Sequence, residues 1–135
     1  LGEKRKEEDM SLVKVATAAV LLLAVTSVAR GAMQLITPMM DAPAAGVACH
    51  LLLLPSQTQS KTGRIEILSA GLFGDPASSI VDSGERTAVP GESINIGTSS
   101  GPPRAFCQFT VDGPKKAWRG SICTNDQNQS CLTAN

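Results

Sequence analysis

The sequence predicts an all-β protein, folded as a single antiparallel β-sandwich of about seven strands. Two observations support this prediction. Beyond residue 30, no amphipathic stretch with a period of 3.6 residues extends past about two turns. Proline, glycine and serine clusters interrupt the chain about every eight to twelve residues, which is the spacing of strands in a sandwich. The predicted strands are 34–37, 46–54, 64–70, 78–82, 93–97, 104–112 and 115–123, with 86–89 as a short addition.

The N-terminal part of the chain predicts export. A short basic segment runs from Met10 to Lys14, and 15–28 is an uncharged, mostly apolar run typical of a signal peptide. Ala29 ends a small-residue cleavage signal, with Ala32 as the alternative. A retained membrane anchor is less favoured, because a spanning helix needs about 20 apolar residues. The predicted organisation is upstream or added sequence without structure over 1–9, a signal peptide over 10–29, the sandwich over 30–123 and an irregular tail over 124–135.

The composition limits the classes of partner. From Met33 onward the chain holds seven Lys or Arg and eight Asp or Glu, a net charge of −1. Nucleic-acid binding requires a basic face, and the only adjacent basic pair in this part of the chain is Lys115-Lys116. With three Phe, one Trp and no Tyr, few rings can stack on bases or sugars. We therefore expect no nucleic acid, no cofactor and, after signal cleavage, no membrane contact. The expected partner is an unknown protein of the cell envelope, bound by a monomer in the periplasm or outside the cell.

Two strand-like runs around Gly113 predict a β-hairpin in which Phe109 lies opposite Trp118. Because side chains alternate across a strand, one face of this hairpin collects the apolar residues and Cys107. The other face collects polar residues and Cys123. A register shifted by one residue would place a charged side chain among the apolar ones. The polar face is the predicted binding surface, and its candidate residues are Gln108, Thr110, Lys115 and Arg119.

The four cysteines are expected to form disulfides, because an exported chain meets an oxidising compartment. In the predicted hairpin, Cys107 and Cys123 point to opposite faces and lie about 10 Å out of step, whereas a disulfide spans at most about 7 Å between Cα atoms. Cys49 lies in an alternating apolar run and points inward, as Cys107 does. The predicted pairs are therefore Cys49–Cys107 across the core and Cys123–Cys131 between the last strand and the tail.

The cysteine pattern resembles an immunoglobulin-type sandwich. Two inward cysteines, Cys49 and Cys107, lie 58 residues apart on the second and sixth strands, and a closing hairpin follows. The resemblance implies the architecture only. The chain is also similar to small uncharacterised exported bacterial proteins, which combine a leader, a Pro-Gly turn such as that at Pro90 and a late strand of the type Cys107 to Val111. Together these features predict a non-enzymatic binding or structural module.

Two alternative functions depend on particular residues. Soft and imidazole ligands could handle copper in an exported protein; the candidates are Met33, Met39, Met40 and His50. The stretch from Gly97 to Gly101 matches the G-x-S-x-G pattern of hydrolases, with Ser99 as the nucleophile. The pattern requires a helix after the serine, and the prolines at 102 and 103 disfavour one. The binding module is therefore the leading hypothesis.

Overall fold

The computed structural model describes residues 32–71, 75–100 and 102–135. The predicted signal peptide at 10–29 and Gly101 of the serine motif lie outside these residues. Within the described residues, no helix is long and apolar enough to span a membrane. The strands are β1 (Met33–Ile36), β2 (Met40–Asp41), β3 (Val47–Leu53), β4 (Lys61–Ser69), β5 (Ser78–Asp82), β6 (Arg86–Ala88), β7 (Ser93–Gly97), β8 (Arg104–Val111), β9 (Trp118–Thr124) and β10 (Cys131–Thr133).

The strands form two antiparallel sheets, so the all-β prediction is confirmed. Sheet I has the order β1-β8-β4-β5, with β2 also pairing with β8 and β6 with β4. Sheet II has the order β10-β9-β3-β7. The strands β2 and β10 were not among those predicted, and the other eight correspond to predicted strands within three residues at each end.

The core lies between the two sheets. Alternate residues of β3 and β8 are buried, as expected for strands with one face against a core. A disulfide between Cys49 of β3 and Cys107 of β8 joins the sheets through the core. The ring of Phe109 packs from sheet I onto Gly120 of sheet II, where an added Cβ would lie 2.6 Å from the ring. The close approach of β8 and β9 therefore depends on the absence of a side chain at Gly120.

The predicted hairpin is wrong, because β8 and β9 belong to different sheets. Gly113, with φ of +81°, and a 3₁₀ turn over Lys115–Ala117 carry the chain from sheet I to sheet II. The indole N–H of Trp118 donates to the carbonyl of Asp112 at 3.0 Å and closes this corner. The predicted faces are nevertheless correct for the apolar residues, since Phe109 and Trp118 are both buried. A sandwich allows the two apolar faces to cover one another, whereas a hairpin would leave them side by side.

The tail, predicted to be irregular, contains strand β10, which pairs with the outer edge of β9. Its disulfide joins Cys131 to the directly opposite Cys123. The N–H of Ala134 donates to the carbonyl of Gly120 at 2.9 Å, and the N–H of Asn135 donates to the carbonyl of Ile36 at 3.3 Å. The tail thus bridges sheet II to β1 of sheet I. Cys123 points outward as predicted, but it is only 4% exposed.

Candidate functional site

A row of four polar residues crosses the outer face of sheet II, one on each strand. The register places Asn95 of β7 opposite His50 of β3, His50 opposite Ser121 of β9, and Ser121 opposite Thr133 of β10. Opposing residues of antiparallel strands carry their side chains on the same face, about 5 Å apart. We call these four residues the polar row.

The alternation of β3 and β9 explains why these side chains face outward. In β3, Cys49 and Leu51 are fully buried, so His50 and Leu52 must point to the opposite face. In β9, the buried Ile122 likewise directs Ser121 outward. The same apolar residues that build the core therefore fix the polar row on the surface.

His50 is held by a hydrogen bond from its ring. Its Nδ1 lies 2.6 Å from Oδ1 of Asn95, and the hydroxyl of Ser93 donates to the same oxygen at 2.8 Å. Because the amide oxygen of Asn95 is an acceptor, the ring donates through Nδ1–H. In the neutral ring, Nε2 is then left with a lone pair. The imidazole is thus oriented by a neighbouring strand.

Arg119 supplies the charge of this surface. It lies opposite Leu52 on the same face, one side-chain step along β9 from Ser121. His50 is its diagonal neighbour, a position about 7–8 Å away that long side chains reach. One guanidinium nitrogen, Nη1, donates to the carbonyl of Trp118 at 2.9 Å. This bond anchors the side chain against its own strand.

Three residues of the polar row, His50, Ser121 and Thr133, border a groove of about 480 Å³ together with Arg119. Its apolar walls are Leu52 and Ala134. The turn before β10 is held by the N–H of Ser130, which donates to the hydroxyl of Thr124 at 2.9 Å. The lining residues are His50, Leu52, Ser93, Arg119, Gly120, Ser121, Thr133 and Ala134.

The predicted binding surface is divided between the two sheets. Gln108 and Thr110 lie on β8 of sheet I, whereas Arg119 lies on β9 of sheet II. Lys115 is exposed in the 3₁₀ turn between them. The grouping of these residues as one face is therefore wrong, because it depended on the hairpin.

The outer face of sheet I is an internally paired charge network. Arg64 donates through Nε to Oδ1 of Asp82 at 2.9 Å and through Nη2 to Oδ2. Gly84 N–H donates to the same Oδ1 at 2.8 Å. The hydrogen bond from Arg64, followed by that from Gly84, lowers the pKa of Asp82 to about 2. Because Arg64 is already paired with the carboxylates of Asp82 and Glu66, it is a poorer site for an anionic ligand than Arg119 of sheet II.

The structure does not bring the proposed copper ligands together. Met33 pairs with Val111 and Met40 with Ala105, six residues away on β8, or about 20 Å along the strand. His50 lies on the outer face of the other sheet. Met39 follows β1 in the chain and is 56% exposed. Within the described residues, no group of three or more His, Cys, Asp or Glu side chains could hold a metal ion.

Ser99 lies in the exposed loop that follows β7. The next described element is strand β8, so the helix of a nucleophile elbow does not follow it. The loop is anchored at Thr98, whose carbonyl accepts from Nδ2 of Asn125 at 2.9 Å. The hydrogen bond from the His50 ring goes to Asn95, so the imidazole is held away from a role as the base for Ser99.

Sequence reasoning missed most of the residues of this surface; those it missed are Leu52, Ser93, Asn95, Ser121 and Thr133. One signal was available in β7, where Asn95 is the polar residue between two isoleucines and must face outward. Which residue of β3 lies opposite Asn95 depends on the register between two distant strands, and alternation does not specify that register.

Comparison with known proteins gives no match: no protein-family model, no curated protein sequence and no solved structure matches this chain. The function must therefore be argued from the chemistry of the surface itself.

Proposed function

We propose that the protein is an exported, non-enzymatic binding module that recognises an envelope partner through the outer face of sheet II. The observation that carries this proposal is the polar row beside Arg119, where a fixed imidazole, two hydroxyls and a guanidinium border one groove. Recognition sites in proteins combine an apolar wall with a few placed polar groups in this way. Neither the serine nor the methionine alternative has a comparable cluster among the described residues.

The fold supports a role outside the cytoplasm. Two disulfides, Cys49–Cys107 and Cys123–Cys131, are compatible with an oxidising compartment. A signal peptide over 10–29 would deliver the chain there. We expect the exported protein to be a monomer. We expect the mature form to begin after Ala29 or Ala32.

The order of the strands in the two sheets also supports the proposal that this sandwich is immunoglobulin-like in architecture. In those domains the last strand lies beside the sixth and the first lies beside the second. Here β1 lies beside β8, the strand of Cys107, and β9 lies beside β3, the strand of Cys49. The proposed relation is a sandwich in which the first and last strands have exchanged places. Such scaffolds commonly carry binding surfaces rather than catalytic sites.

Site-directed photo-crosslinking in the source cell tests the binding role. A photo-reactive phenylalanine analogue at Leu52 would stand on the outer face of sheet II, and the same analogue at Leu68 would stand on that of sheet I. Both leucines are half-buried on outward-facing positions. We expect one discrete crosslinked partner from position 52 and none from position 68. Equal crosslinking from both positions, or none from position 52, would contradict the proposal.

A further inference from the structure

We infer that the groove on sheet II binds an aliphatic carboxylate, with Arg119 holding the carboxylate group. The inference rests on the proposed binding role of this face and names the chemistry of its ligand. Three features point to it: the charge of sheet II, the hydrogen-bonding groups beside Arg119 and the apolar wall of the groove.

The charge of Arg119 is uncompensated. The four strands of sheet II contain no Asp or Glu, and Arg119 is their only formally charged residue. By contrast, Arg64 pairs with Asp82 on sheet I, and Arg104 pairs with Asp41 at 3.2 Å. Among the described residues, no ion pair engages Arg119. A single anionic group bound at this position would balance the positive charge of Arg119.

The hydrogen-bonding groups suit a carboxylate. Because Nη1 of Arg119 is engaged by the carbonyl of Trp118, Nε and Nη2 form the edge that can bind two carboxylate oxygens in parallel. The hydroxyls of Ser121 and Thr133 line the same groove and can supply further donors. One guanidinium balances one carboxylate charge, whereas a phosphoryl group carries about 1.5 to 2 charges at neutral pH. The donor set therefore favours a carboxylate.

The apolar wall indicates what the carboxylate is attached to. Leu52 lies directly opposite Arg119, and Ala134 borders the same groove. The groove volume of about 480 Å³ falls within the usual range of small-ligand sites, about 300–1,000 Å³. The α-carboxylate of a peptide that ends in leucine, with the leucine side chain packed against these two residues, would fill it.

Titration followed by NMR tests this inference on the oxidised protein. The probe is N-acetyl-leucine, and its matched control is N-acetyl-leucinamide, which lacks the carboxylate. We expect saturable shifts of the amide signals of Arg119 and Ser121 with the acid, and at least tenfold weaker binding of the amide. Arg119→Gln should weaken binding of the acid at least tenfold, whereas Arg104→Gln, on the other sheet, should leave it unchanged. N-acetyl-glutamate amide, with a carboxylate on a side chain, should bind more weakly than N-acetyl-leucine.

Arg119→Lys is the second variant, because it retains the charge but cannot bind the carboxylate in a bidentate manner. We expect it to bind N-acetyl-leucine severalfold more weakly. Equal binding of acid and amide, equal effects of Arg119→Gln and Arg104→Gln, or preferred binding of the glutamate derivative would overturn the inference. A partner crosslinked through position 52 without binding of N-acetyl-leucine would refute the carboxylate alone and leave the binding role standing. Failure of both experiments would remove both proposals.

Discussion

The disulfide through the core should contribute more to stability than the disulfide of the tail. The perturbation is the double substitution of Cys49 and Cys107 by alanine, compared with the same change at Cys123 and Cys131. The first bond closes a separation of 58 residues and the second a separation of 8. In the chain-entropy model, these loops correspond to about 4 and about 2.6 kcal/mol of stability.

Packing adds to the difference in the same direction. Cys49 and Cys107 are fully buried, so their truncation also leaves a cavity between the sheets. Cys131, in contrast, is exposed. Because a domain of this size has a total stability of about 5–15 kcal/mol, the loss of the core disulfide should consume a large share of it.

The assay is urea unfolding followed by the fluorescence of Trp118, the one tryptophan of the chain, which is 1% exposed in the folded state. Thiol titration of each variant checks that the remaining pair stays oxidised. The core variant should lose more free energy of unfolding than the tail variant, by about 1.4 kcal/mol or more. An equal loss, or a larger loss from the tail variant, would refute the reasoning.

Three further predictions concern packing and charge. Gly120→Ala should cost about 1–3 kcal/mol in urea unfolding, because the new Cβ would clash with the ring of Phe109; an unchanged midpoint would show that the sheets can separate freely. Thr37→Val should lower the free energy of unfolding by about 1–3 kcal/mol, because the buried backbone N–H of Cys107 on β8 would lose its acceptor, the Thr37 hydroxyl at 2.9 Å. A loss below about 0.5 kcal/mol would contradict this. The hydrogen bonds from Arg64 and then from Gly84 lower the pKa of Asp82 from its ordinary 3.8 to about 2, so their stabilisation is present above about pH 4 and is lost as the pH falls from about 4 to 2. Acid unfolding of Asp82→Asn should therefore lack this component, and an unchanged slope over that pH range would argue against the pair.

Local alternation predicted much of the fold and both disulfides. The apolar residues of β3 and β8 recur at every second position, which is enough to place Cys49 and Cys107 inward. In β9, the inward Trp118 and Ile122 place Cys123 outward in the same way. Inward cysteines on two strands then have one another as the available partner across the core. These inferences need only the geometry of a single strand.

The pairing of strands could not be predicted in the same way. The alternation of β8 and β9 is the same whether the two strands are neighbours in one sheet or face each other from two sheets. The hairpin assignment therefore placed Arg119 beside Gln108, whereas the structure places it diagonal to His50. Strand β10 was missed because its three residues show no periodicity, and its position depends on the disulfide to Cys123. The candidate site depends on these pairings between strands that are distant in the sequence.

The neighbours of β9 are therefore the most direct test, because the entire site depends on Arg119 and His50 sharing one face of sheet II. The measurement is the set of cross-strand nuclear Overhauser effects in the oxidised protein. Contacts between the backbones of His50 and Ser121 and of Leu52 and Arg119 are expected, since opposing residues lie about 4.5–5.5 Å apart between Cα atoms. Backbone contacts between Gln108 and Arg119, with none between His50 and Ser121, would restore the hairpin and contradict the site.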